Sequence, residues 1–132
     1  MSIFYNNNRV NTLKFNNSNV STVIFNGNVC SIFDLATASC SFNGASVISF
    51  NSSDTSIIYQ SWSKIYFNKS GTLTLYVNGA NNVTTYKNNT QIGYTTSGNN
   101  YKATYTINIS SGDFISFNSD VAGHSASFSF YF

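Results

Sequence analysis

The sequence predicts an all-β chain: a short N-terminal strand-repeat module over residues 1–35, then an antiparallel β-sandwich, jelly-roll or immunoglobulin-like, over residues 36–132. Three observations predict it. Apolar and polar residues alternate with a period of two in several runs, which puts one set on a core face and the other on a wet side. Turn-forming dipeptides interrupt those runs at intervals of about 8–12 residues, the spacing of sandwiches and barrels. No window joins helical periodicity to a cap, the weak exception being the short stretch Ile32 to Ala38.

The N-terminal module is written as a repeat. Ile3 to Val10 aligns with Leu13 to Val20, and both align with Val23 to Val29. Each unit reads as a short strand, an Asn-rich turn and a Val that starts the next strand. A repeat this small cannot bury its own apolar face and needs a neighbour to cover it. Phe15, Val20, Val23, Phe25 and Val29 are the candidate docking residues.

Beyond the soft boundary at Asp34 to Ser39, strands are expected near 47–51, 56–60, 63–67, 72–78, 83–87, 91–95, 101–109, 114–118 and 125–132. Leu73, Leu75 and Val77 alternate with Thr72, Thr74 and Tyr76, and Phe128 and Phe130 alternate with serines. The strand residues are β-branched or aromatic, as pleated surfaces favour. Asn43-Gly44 and Asn78-Gly79 suit the positive φ angles of tight hairpins. Gly112-Asp113 reads as the turn of a further hairpin from Ile107 to Phe117. Phe128 to Phe132 would be an aggregation-prone edge unless covered. The chain has no proline, so Gly and Asn must make its turns.

Composition narrows the function. Asn, Ser and Thr make up 56 of 132 residues, while charged residues are only 8% and the net charge is +2. This is neutral hydrogen-bonding polarity, unlike that of disordered chains. Six scattered Lys and Arg make no footprint for a phosphate backbone, so no nucleic-acid partner is expected. No apolar run is long enough for a membrane helix, and MSIFYNNNRV lacks the basic and apolar regions of a secretory signal. Cys30 and Cys40 are expected as two buried free thiols.

Catalysis needs titratable groups, and there are few. One histidine, four aspartates and no glutamate are present. His124 and Asp120 could join one of 22 serines in a triad, but so many serines make that coincidence cheap. An exposed loop histidine is the plainer expectation for His124. Asp113, Asn118 and Asp120 lack a calcium-loop pattern, and Asp113 after Gly112 suits a turn. No zinc spacing or phosphate loop occurs. A non-enzyme without cofactor or metal is expected. For binding, an extended Ile57 to Phe67 would place Gln60, Trp62, Lys64 and Tyr66 on one face, a candidate glycan-contacting surface of rings and donors. Burial of the lone Trp62 in the core is the competing expectation. Tyr76, Tyr86, Tyr94 and Tyr131 suit a subunit interface.

The units LKFNNSNV and VIFNGNV, followed by SGTLTLYVNG, YTINISSGDFISF and ASFSFYF, resemble virion appendage proteins of bacteriophages, of the tail or head fibre or capsid-decoration type. The resemblance implies a structural virion protein that docks on other virion subunits through its N-terminal strands. It further implies a homo-oligomer, a trimer included, that contacts a host-surface glycan and is released by lysis. A soluble carbohydrate-binding, lectin-like module is the alternative expectation.

Overall fold

The computed structural model describes residues 34–120 and 122–132 throughout; in residues 1–33 it describes only the backbone of six short strands. These are β1 (Phe4–Tyr5), β2 (Asn8–Arg9), β3 (Leu13–Phe15), β4 (Ser18–Val20), β5 (Thr22–Phe25) and β6 (Asn28–Ser31). They pair as three separate hairpins, β1–β2, β3–β4 and β5–β6. Leu13 stands opposite Val20, and Ile24 opposite Val29. Val20 and Val29 therefore lie in the returning strand of their own unit, where the sequence had suggested the start of the next. Each repeat unit is a closed hairpin.

Ten strands follow: β7 (Leu35–Asn43), β8 (Ser46–Ser52), β9 (Ile58–Ser61), β10 (Lys64–Phe67), β11 (Gly71–Asn78), β12 (Val83–Lys87), β13 (Thr90–Thr95), β14 (Lys102–Ile109), β15 (Phe114–Ser119) and β16 (His124–Tyr131). They form two antiparallel five-stranded sheets, a first in the order β13-β12-β15-β10-β9 and a second in the order β14-β11-β16-β7-β8. The chain is an all-β sandwich of jelly-roll type. By contact density it divides into two compact units, Met1–Leu35 with Phe132, and Ala36–Tyr131. Among the described residues one 3₁₀ turn, Ser97–Asn99, is capped by Thr96, whose hydroxyl accepts from the Gly98 amide.

The alternation read from the sequence sets the core. Leu73, Leu75 and Val77 are fully buried, and Phe67, Phe117, Phe128, Phe130, Ile58, Ile65 and Ile115 are buried with them. Phe42 stacks on Phe117 at 4.4 Å between ring centroids, and Phe67 meets Phe130 edge-on at 5.0 Å. Such pairs add about 0.5–1.5 kcal/mol beyond the area they bury.

Several expectations are corrected. Leu35 to Asn43 is a nine-residue strand, with Ala36, Ala38, Cys40 and Phe42 buried and the residues between them turned outward. The weak helical reading of Ile32 to Ala38 fails from Leu35 onward; Ile32 and Phe33 lie outside the described residues. Phe128 to Phe132 is no edge, because β16 lies between β11 and β7. Gly112-Asp113 does not close a hairpin. It carries the chain from β14 in the second sheet to β15 in the first. Asn78-Gly79 likewise leads across to the other sheet. Asn43-Gly44 does turn a hairpin, β7–β8, with Gly44 at φ +58°. The β12–β13 hairpin turns on Asn88 and Asn89, both at positive φ, which Asn tolerates well.

Candidate functional site

The hairpin β9–β10 holds the residues that the sequence singled out for binding. Ser61 pairs with Lys64, so Trp62 and Ser63 alone make the turn. That two-residue turn resets the alternation. Gln60 pairs with Ile65, a core residue, while Tyr59 pairs with Tyr66. The expected common face of Gln60, Trp62, Lys64 and Tyr66 is therefore corrected. Lys64 and Tyr66 share the outer face of the first sheet, Gln60 belongs to the opposite parity, and Trp62 caps the end of the hairpin.

On that outer face a row of rings replaces the expected mixed platform. Tyr59 stacks on Tyr66 at 5.3 Å, Tyr66 meets Phe114 at 5.4 Å, and the Lys64 ammonium sits 4.2 Å above the Phe114 ring. Lys64 is thus held by a cation–π contact along the sheet.

Trp62 is 92% exposed, so its expected burial in the core is also corrected. Its φ is +55°, whereas Ser63 beside it has no positive φ. Gln60 Nε2 donates to the Trp62 carbonyl at 2.7 Å and steadies the turn. On one side the turn borders a shallow depression of about 450 Å³ shared with Ser46 and Val47. On the other it borders one of about 300 Å³, reached through Ser63 and Lys64.

The catalytic candidates are dispersed. His124 is 2% exposed, not a loop histidine on the surface. Its ring lies against Phe42 at 5.4 Å, the Ala80 amide donates to Nδ1 at 3.1 Å, and Nε2 is buried without a partner among the described residues. Asp120 is exposed. Asp113 is tied into a corner by Lys87, Asn88 and the Ser110 amide. Partial burial pushes its carboxyl up, but those donors outweigh burial and hold it below the usual carboxylate range. Cys40 is a free, buried thiol; burial pushes it up to about 12, only partly offset by a main-chain hydrogen bond with Ala126. A buried thiol of this kind is inert. The Cys30 side chain lies outside the described residues. No cluster of three or more His, Cys, Asp or Glu exists among the described residues.

A second surface was not assembled from the sequence. The outer face of the second sheet carries Thr72, Thr74 and Tyr76 on β11, with Ser127 and Thr104 flanking Tyr76 on either side. In the five strands of that sheet only Lys102 is charged, apart from the buried His124. Tyr76 is 39% and Tyr131 42% exposed. Of the other two tyrosines proposed for an interface, Tyr94 is exposed and Tyr86 half-buried, both on the first sheet. The alternation of β11 and β16 had already put Tyr76 and Tyr131 outward; what it could not show is that the two strands are neighbours. The side chains of Phe15, Val20, Val23, Phe25 and Val29 lie outside the described residues.

No family model matches the chain, and no curated protein matches it. Solved structures do. GITRL from bushbaby is similar at a TM-score of 0.60 and 15% identity, over 74% of this chain and 94% of that one. Pika GITRL is similar at a TM-score of 0.54 and 20% identity, over 74% of this chain and 95% of that one. At such identities the likeness shows the fold alone. It overturns the expectation of a phage tail, fibre or decoration protein: both of these similar structures are GITRL chains, not virion appendages. The resemblance had leaned on a short repeat and on a sandwich, and sandwiches serve many unrelated functions. What the comparisons leave in place is a jelly-roll sandwich of the GITRL type.

Proposed function

We propose that the chain is a non-enzymatic recognition module that works as a homo-oligomer, with three copies as the expected state. The copies pack through the outer face of the second sheet and leave the first sheet and its loops to a protein partner. The observation that carries this reading is that nearly charge-free face, with Tyr76 at its centre and Ser and Thr around it. Interface cores are depleted in charge and enriched in Tyr. The fold is that of GITRL, a TNF-family cytokine, which supports recognition of protein over catalysis. The dispersal of His124, Asp113 and Asp120 supports the same view.

Light scattering on the eluting protein tests it. The wild type is expected at a multiple of 14.5 kDa, and Tyr76→Lys at the single-chain mass with an unchanged β-sheet circular dichroism spectrum. A wild type that stays at the single-chain mass at every concentration sinks the reading.

A further inference from the structure

Three Asn-Gly pairs occur in the sequence: Asn26-Gly27, which lies outside the described residues, Asn43-Gly44 and Asn78-Gly79. An asparagine side chain before glycine is well placed for ring closure, because no Cβ shields the following amide nitrogen. The fold treats the two described pairs in opposite ways. Gly79 donates its amide to the Tyr101 carbonyl at 2.8 Å. Asn78 ends a strand that is paired on both sides, with Lys102 and with Ser125. A Cβ at Gly79 would meet the Asn81 carbonyl, Val83 and the His124 ring, so this main chain is packed as well as bonded.

Gly44 has none of these restraints. It is the first of the two turn residues between Asn43 and Ser46, and it has a φ of +58° while Ala45 has no positive φ, the pattern of a type II′ hairpin turn. The bond that closes such a turn joins its flanking residues, so the first central amide is left out of the ladder. The Gly44 amide has no acceptor among the described residues, and the Asn43 side chain is exposed and unbonded. The Gly44 carbonyl accepts from Ser119 Oγ at 3.4 Å, which leaves the nitrogen untouched. Ring closure must swing the Asn43 main chain, and Asn43 and Ser46 are the last pair of a hairpin whose second strand, β8, is a sheet edge. Such ends open at little cost. We propose that Asn43 is a site of spontaneous deamidation. The Gly44 nitrogen gives its proton to water or hydroxide and bonds to Asn43 Cγ; the Cγ–Nδ2 bond breaks, ammonia leaves, and a cyclic imide forms. Water then opens the imide at either carbonyl, giving aspartate or an isoaspartyl link. Either product puts an acid on a sheet whose five strands otherwise hold none. The chemistry needs neither Tyr76 nor a second copy, so it stands or falls apart from the assembly proposed above.

The full chain is held in mildly alkaline buffer and, in parallel, in the same buffer with urea. Digests taken over time are mapped by mass spectrometry, with electron-transfer fragmentation to separate isoaspartate from aspartate. In the native chain Asn43 should convert about tenfold or more faster than Asn78, whose ring closure must wait for local opening. Urea should bring the two rates together, because both are Asn-Gly pairs once the fold is gone. Aspartyl and isoaspartyl forms should both appear at position 43. Gly44→Ala, compared in urea so that its effect on the fold does not matter, should slow conversion of Asn43. An Asn43 that stays intact in the native chain while it converts in urea overturns the proposal. So does an Asn78 that keeps pace with Asn43 in the native chain. Aspartate without isoaspartate at position 43 shows direct hydrolysis of the amide and overturns attack by the Gly44 nitrogen.

Discussion

The Lys87 ammonium lies 2.9 Å from the Asp113 carboxylate and also donates to the Asn108 carbonyl at 2.7 Å, so one residue of β12 secures the passage from β14 to β15. The carboxylate accepts three donors at once, from Lys87, from Asn88 at 2.7 Å and from the Ser110 amide at 2.8 Å. Asp113→Ala should lower unfolding stability by about 2–3 kcal/mol, since it strands donors that were bonded to a charge. The sign with pH follows. The folded carboxyl is held below its unfolded value, so its contribution is present above about pH 4 and is lost as pH falls through the folded value. Urea midpoints of wild type and variant should converge on acidification. A gap that stays constant down to about pH 2 contradicts the assignment.

Gly93 is required by its neighbour. A Cβ there would fall within the ring of Tyr105, which reaches from β14 toward β13. Gly93→Ala should cost about 1–3 kcal/mol by overpacking. The double variant Gly93→Ala/Tyr105→Ala should be less destabilised than the two singles together, because the collision is gone. Simple additivity in thermal melts would rule out the collision.

The Cys40 thiol should resist alkylation in the native protein and react once urea unfolds it. Its folded value is raised above the ordinary 9.0 to about 12, so it contributes stability fully present below about pH 9 and lost as pH rises toward 12. Comparison with Cys40→Ala isolates this: the wild type should lose stability faster across that window. Fast labelling under native conditions would refute the burial of the thiol.

Trp62→Gly should stabilise the single chain. Relief of left-handed strain is worth about 1–2 kcal/mol, and the extra freedom of glycine in the unfolded chain takes back about 0.5–1 kcal/mol. A higher urea midpoint with m unchanged is expected for dilute protein. A midpoint lower than that of Trp62→Ala would show that the turn prefers a side chain.

What could be read from the sequence depended on side-chain size. Leu73, Leu75, Val77, Phe128 and Phe130 announce their strands because large apolar residues alternate with hydroxyls. In β7 the same alternation is present, but three of its four buried positions are Ala36, Ala38 and Cys40, too small and too weakly strand-favouring to stand out. Gly112-Asp113 looked like a hairpin because reversing within a sheet and crossing to the other sheet need the same backbone angles. The binding face dissolved for a similar reason: a two-residue turn at Trp62 and Ser63 resets which side each residue faces, and alternation alone cannot locate that reset. Which strands share a sheet depends on long-range pairing, as between β11 and β16, and no local pattern encodes it.

The Asp34 amide donates to the Phe132 carbonyl at 2.9 Å, and the Phe132 amide returns a bond to Asp34 at 3.0 Å. The polypeptide thus comes into the stretch from Leu35 to Tyr131 and leaves it through one paired doorway. Segments whose two ends meet in this way can be spliced into a surface loop of another protein without stretching the host. Residues 34–132 should therefore be transplantable as a cassette, with a cut loop of the host taking the place of that pair of hydrogen bonds.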